Sequence, residues 1–234
     1  MAKKVLGILG GMGPAASARF YTLLTQFTKA ASDGEHMKIL LASATDIPDR
    51  TAFILGKSGD NPLPKMQKAA KELVGAGAEL IAVPCNTAEY FHTDLQKACP
   101  VSVLRTAYIS AEFAAEHGGR KLGIMATEGT VCAKIYQKAA ARLGLASAAP
   151  CAHTQKALNE LIYSQIKKNL PPCKDIFLYA AEELALCGCD AIVLGCTELS
   201  LVPLDKTDKK YNFIDSLEVL AKKCIELCGY ETRT

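Results

Sequence analysis

Two cysteines carry the chemistry this sequence offers. Cys85 is followed by Asn86 and Thr87, and Cys196 by Thr197 and Glu198, each at the end of a short apolar run read as a strand. Ligands of open α/β sheets bind beyond the carboxyl ends of the strands. A helix start there supplies free N–H groups and partial positive charge, which favour thiolate over thiol and can also hold a carboxylate. Two such thiols on opposite sides of one carbon have a natural use. One removes a proton from a stereocentre and the other returns a proton from the far face, which is racemisation without a cofactor. A thiol suits the task because its pKa can be brought near neutral. The competing reading is that both are strand-end cysteines that only pack.

The elements that must position these thiols alternate. Strands are expected at Val5–Leu9, Ile39–Ser43, Leu80–Val83, Leu122–Ala126 and Ala191–Leu194. Helices are expected at Pro14 to about Ala30, Pro64–Gly75, about Val131–Leu143, Asp175–Leu186 and about Ser216–Cys228, the last with Asp215 and Glu218 as a start resembling a capping box. This alternation predicts an α/β fold with doubly wound parallel sheets of the Rossmann or flavodoxin-like kind, its apolar strands covered on both faces.

An internal repeat divides the chain. Residues 65–85 align with 176–196 without gaps at an offset of 111, matching Ala69 to Ala180, Leu73 to Leu184, Gly77 to Gly188, Ile81 to Ile192 and Cys85 to Cys196. A weaker echo pairs Leu6-Gly7-Ile8 with Leu122-Gly123-Ile124 at an offset of 116. The expectation is two similar lobes related by duplication, 1–105 and 106–211, with the C-terminal helix in 212–234 returning to the first lobe and the active site in the cleft between them.

Composition narrows the classes. The 234 residues are 50% hydrophobic and 22% charged, a globular composition. A net charge of +3 is too balanced to imply nucleic acid or an acidic membrane surface as partner. Gly10, Gly11, Gly13 and Pro14 break the opening apolar run before signal-peptide length, so a cytoplasmic protein with reduced thiols is expected. None of the ten cysteines has metal spacing, and Cys99, Cys132, Cys151, Cys173, Cys187, Cys189, Cys224 and Cys228 read as small packing residues. No metal is expected. His36, His92, His117 and His153 read as surface or loop residues, and Asp205–Lys210 as a solvated loop of mixed charge. Gly11, Gly13 and Ala16 fit a loose dinucleotide loop, but no acidic residue at the expected distance clearly ends a second strand.

Pro-Cys-Asn-Thr-Ala at 84–88 and Gly-Cys-Thr-Glu at 195–198 resemble the two signatures of the aspartate/glutamate racemase family, whose members work without pyridoxal phosphate. The opening 7–14, Ile-Pro-Asp-Arg at 47–50, Ala-Thr-Glu-Gly-Thr at 126–130 and Ile-Tyr at 162–163 followed by Lys167 are similar to its aspartate racemase branch. The resemblance implies that Cys85 and Cys196 are a catalytic thiol/thiolate pair needing no cofactor. It implies that Asn86, Thr87, Thr197 and the Thr127–Thr130 loop, with both threonines, bind the α-carboxylate and α-amino group. Met12 would line the cleft floor. Arg50 would take the distal carboxylate through its two-pronged guanidinium, with help from Lys167. Arg50 and Lys167 can also be read as solvated cations, and Glu198 either orients a ligand or caps a helix.

The implied activity is reversible racemisation of aspartate, glutamate or both, by a homodimer acting on a small amino acid with no membrane or nucleic-acid partner. A maleate isomerase or hydantoin racemase chemistry, or a catalytically silent amino-acid-binding protein, are the alternatives. One departure stands out: many relatives carry His where this chain has Glu89.

Overall fold

The computed structural model describes residues 3–205, 208 and 210–233. The parts of the expectations above that fall on residues 1, 2, 206, 207, 209 and 234 lie outside the described residues. The first sheet has the parallel order β2-β1-β3-β4, from β1 (Leu6–Gly10), β2 (Ile39–Ser43), β3 (Leu80–Ala82) and β4 (Ser102–Val103). The second repeats that order as β6-β5-β7-β8, from β5 (Lys121–Met125), β6 (Ala146–Ala148), β7 (Ala191–Leu194) and β8 (Phe213–Asp215). Every strand pairing is parallel, as connections through helices require. No helix among the described residues is long and apolar enough to cross a membrane.

The repeat is visible in three dimensions. Helix α3 (Leu63–Gly75) and helix α9 (Lys174–Leu186) start and end at positions 111 apart. Gly77 and Gly188, in the turns that follow, both hold positive φ, at 103° and 79°. Glycine adopts that conformation without steric penalty. Gly7 in β1 and Gly123 in β5 let each helix unit approach its sheet. A Cβ on Gly7 would lie 2.8 Å from the Ala78 Cβ, and one on Gly123 would lie 3.2 Å from the Cys189 Cβ.

Two further helices cross between the sheets. Helix α5 (Thr106–Glu116) follows β4 of the first sheet, yet its Ala107, Ala111 and Ala114 pack with Leu122, Ile124, Ala191 and Val193 of the second. Helix α10 (Ser216–Leu227) follows β8 of the second sheet. Its Leu217, Leu220, Ala221 and Cys224 pack with Leu6, Ile8, Leu80 and Ala82 of the first, beside α1 (Pro14–Phe27). Asp215 caps α10 by accepting from the amides of Leu217 and Glu218 at 2.8 and 3.3 Å.

Several expectations need correction. The helix expected over Val131–Leu143 is two helices, α6 (Glu128–Cys132) and α7 (Ile135–Arg142), separated by Lys134 at a φ of 57°. The break changes register, so α6 buries Thr130 while α7 buries Ile135, Tyr136, Ala139 and Ala140. Among the cysteines read as packing residues, Cys132, Cys151, Cys173 and Cys187 are exposed and Cys189 is half-buried. Cys132, Cys173 and Cys187 sit at helix ends and Cys151 occupies the N-cap position of α8 (Ala152–Glu160), each on a stretch that leaves the core. Cys99, Cys224 and Cys228 are in the core. His92 opens α4 (His92–Lys97) half-buried, its Nε2 2.8 Å from the Val103 carbonyl oxygen. Within the Asp205–Lys210 stretch, Asp208 is buried and pairs with Lys174 at 2.7 Å.

Gly7→Ala should lower unfolding stability by about 1–3 kcal/mol, because the new methyl must displace a packed helix turn. Gly59→Ala, in open space, should leave it unchanged. Urea denaturation of the two variants checks both.

Candidate active site

Thirteen residues from both halves of the chain line one pocket at the carboxyl ends of the strands. Cys85 and Cys196 both line it, each 5–6% exposed. The local backbone after them departs from expectation. Cys85 leads into a 3-10 turn, Asn86–Phe91, and Cys196 into a loop with one short 3-10 turn, Leu199–Leu201. Neither thiol therefore sits at the start of a long α-helix, and side chains rather than a helix dipole set its surroundings.

Arg50 opens α2 (Arg50–Ile54) and is 7% exposed, which rules out a solvated loop arginine. Its Nη1 donates to the carbonyls of Ile47 and Pro48 at 3.3 and 2.9 Å, and its Nη2 to that of Met12 at 2.8 Å. The buried Nε has no protein partner. That leaves Nε–H and one Nη2–H free of protein acceptors. Burial opposes the charge, but interactions with Cys85 and then Asp49 outweigh it and raise the Arg50 pKa. Met12 lies in the pocket wall at 3% exposure.

The opposite wall carries the other charges. After α8 the chain passes through a π-turn, Leu161–Gln165, and a 3-10 turn, Ile166–Lys168, which bring Tyr163 and Lys167 to the pocket. Lys167 Nζ lies 2.9 Å from Glu198 Oε1. The Cys196 thiol donates to Glu198 Oε2 at 2.9 Å, and the Thr197 hydroxyl to the same oxygen at 3.3 Å. Burial and then Glu198 push the Cys196 thiol well above the ordinary range. Glu198 stays on the low side of the carboxylate range: burial opposes its charge, but Lys167 and the Cys196 hydrogen bond prevail.

Hydroxyls fill the seam. Thr87 meets Thr127 at 3.0 Å and Thr130 at 2.9 Å, Thr127 meets Thr130 at 3.0 Å, and Thr51 donates to Thr127 at 3.3 Å. Thr130 stands behind Thr87 and Thr127 and does not line the pocket. Asn86 is fixed from beneath: its Nδ2 donates to Ser216 at 3.0 Å, and its Oδ1 accepts from the Tyr136 hydroxyl at 2.7 Å. Gly195 makes room for that tyrosine, since a Cβ there would lie 2.7 Å from the Tyr136 ring.

Asp49, Thr51 and Tyr163 were not among the expected site residues, although the first two flank Arg50 and the third lies in a quoted motif. Asp49 accepts from the Tyr163 hydroxyl at 3.3 Å across the cleft. Tyr136 and Ser216 left no sequence signal, being far along the chain from the cysteines. Glu89 turns away from the pocket. It accepts from Arg105 Nε at 3.2 Å and from the Ala107 amide, at the start of α5, at 2.7 Å. It therefore ties the Cys85 turn to the crossing helix. Among the described residues, no group of three or more His, Cys, Asp or Glu is placed to hold a metal ion.

Glu89→Ala should strip both partners and reduce unfolding stability by about 1–2 kcal/mol. An unchanged denaturation midpoint would show that this contact does not hold the crossing.

Comparison with known proteins sets the chain beside amino-acid racemases. Residues 9–224 match the Asp/Glu/Hydantoin racemase family. A broad specificity amino-acid racemase of Bacillus subtilis is 29% identical over 232 residues, covering 94% of this chain and 96% of that protein. The Picrophilus torridus aspartate racemase superposes with a TM-score of 0.81 at 25% identity, covering 98% of this chain and 96% of the other. An aspartate racemase homologue from Pyrococcus horikoshii gives 0.76 at 26%, covering 97% and 99%.

Proposed function

This chain belongs to the Asp/Glu/hydantoin racemase family, an isomerase class, and from that premise we propose that it interconverts the enantiomers of an acidic amino acid with two cysteines and no cofactor. The observation that carries the mechanism is the convergence of two equivalent strand-end thiols on one pocket. Cys196 retains its proton, given to Glu198 as a hydrogen bond. The reaction needs a second sulfur as base, and we assign that role to Cys85, which lies beside the Arg50 guanidinium. Its sulfur takes the Cα proton, and the electron pair left on Cα delocalises into the α-carboxylate. The planar carbon then takes the Cys196 S–H proton on its far face. The reverse reaction starts from the product with the thiol and thiolate exchanged.

The free edge of Arg50 supports a substrate with a side-chain carboxylate, and a hydantoin offers no anion to match it. Asn86, Thr87, Thr127 and Thr197 line the pocket with amide and hydroxyl groups suited to the α-carboxylate and α-amino group. Lys167 is engaged with Glu198, so its part in binding substrate is indirect. The matched sheet orders and the packing of α10 on the first sheet support a division near residue 105, with the C-terminal helix belonging to the first lobe. We also place the protein in the cytoplasm as a homodimer, for the reasons of composition and resemblance given above, and analytical ultracentrifugation tests the dimer.

Purified protein incubated with L-aspartate or L-glutamate in D₂O, without pyridoxal phosphate, should yield the D-isomer with deuterium at Cα. Absence of α-proton exchange with any amino acid would refute the proposal. Cys85→Ala and Cys196→Ala should each abolish racemisation with the fold intact by circular dichroism. Arg50→Ala should raise KM for the dicarboxylic substrate by about tenfold or more, the loss of one charged hydrogen-bonded pair; an unchanged KM removes Arg50 from that role.

A further inference from the structure

The duplicated turns differ at one chemically decisive position. Cys85-Asn86-Thr87 and Cys196-Thr197-Glu198 align at the offset of 111, so a neutral hydroxyl in the first lobe becomes a carboxylate in the second. That carboxylate is fully engaged. The Cys196 thiol and Thr197 hydroxyl share Oε2 at 2.9 and 3.3 Å, and Lys167 takes Oε1 at 2.9 Å. The pocket is shaped around it, because a Cβ on Gly13 would lie 3.1 Å from Oε1. The side chains of Glu198 and Lys167 are 7% and 22% exposed. A buried carboxylate with a thiol as donor and an ammonium as counter-ion has one stable arrangement, with the proton on sulfur.

We infer that Glu198 is a positioning residue that holds Cys196 as the thiol of the resting enzyme, so that the free protein rests in one of its two protonation forms with Cys85 as the base. The inference rests on the two-thiol reading above. The charged and titratable groups facing Cys196 are Glu198, Lys167, Tyr136 and Tyr163. Those facing Cys85 are Arg50 and, more distantly, Lys167. Asp49 faces Arg50 and Tyr163. The carboxylate accepts a hydrogen bond from the Cys196 thiol, whereas the charge beside Cys85 is the Arg50 guanidinium.

The consequence is an unequal pair. After Cys196 gives its proton to the planar carbon, its thiolate stands beside the ionised Glu198, while Cys85 holds the former Cα proton. That form is the higher in energy, and passage of one proton from Cys85 back to Cys196 restores the resting form. The equilibrium constant of a racemisation is unity, so kcat/KM must be equal for the two enantiomers at every pH. The inequality appears in kcat and KM separately, and in the reactivity of the free thiols.

Site-resolved alkylation tests this without using activity. Iodoacetamide is applied to the substrate-free protein between pH 6 and pH 10, and the Cys85 and Cys196 peptides are quantified by mass spectrometry. Cys85 and Cys196 are 6% and 5% exposed, so the Cys85 rate serves as the reference for reagent access. In the wild type Cys85 should react first, with Cys196 slow at pH 7.5. Glu198→Gln keeps the shape and removes the charge. It should raise the Cys196 rate relative to Cys85 about tenfold for each unit by which the thiol pKa falls. A Cys196 as reactive as Cys85 in the wild type, an unreactive Cys85, or an unchanged ratio in Glu198→Gln each overturns the inference. Should that variant fail to fold, the wild-type ratio alone decides. The expected alkylation pattern without α-proton exchange would sink the racemase mechanism and leave this arrangement of thiols standing.

Discussion

Two helices that each cover the other half's sheet hold this molecule together. Helix α5 leaves the first sheet and buries its alanine face on the second, and α10 leaves the second and buries its leucine face on the first. They also pack against each other at the centre. Because each core is completed by a helix from the other half, neither half can swing away without exposing apolar surface. The strand ends are therefore held face to face, and the pocket between them exists because of that exchange.

The same constraint explains how so much charge is tolerated inside. Arg50, Lys167 and Glu198 lie in one small pocket, and an isolated buried charge is strongly unfavourable. Each has a fixed partner across or along the seam: three backbone carbonyls for Arg50, and the Lys167–Glu198 pair with its two further donors. The exception is the Arg50 Nε, which is buried without a hydrogen-bond partner. The threonine hydroxyls complete the seam without adding charge, joining Thr51 and Thr87 from one half to Thr127 and Thr130 from the other.

The fold was largely legible because its signals are local. Strands β2 and β7 match the expected spans to the residue, and the gapless offset between the two halves recurs as equal helix bounds and equal glycine turns. Helix α5 was not anticipated, although Ala107, Ala111 and Ala114 have helical spacing. Alanine carries so little apolar area that its face reads weakly against polar neighbours. The exposed cysteines at helix ends were misread because residue type predicts burial only on average, and tertiary packing buries Cys228 at the end of α10 while leaving Cys187 at the end of α9 exposed.

The amino-acid sequence by itself determined the alternation of strands and helices, the duplication, and the two cysteines as equivalent strand-end residues. These follow from short-range periodicity and from identity at a constant offset, which survive in one dimension. Tertiary structure decided the rest. It turned Glu89 toward Arg105 and the start of α5, away from the pocket. It set Glu198 against Cys196 and Arg50 beside Cys85, giving two equivalent sulfurs unequal surroundings. Electrostatics depends on distance in space and on exclusion of water; Arg50 is 35 positions from Cys85 and Lys167 is 29 from Cys196, so each pair gains proximity only when its half folds and loses water only when the halves close.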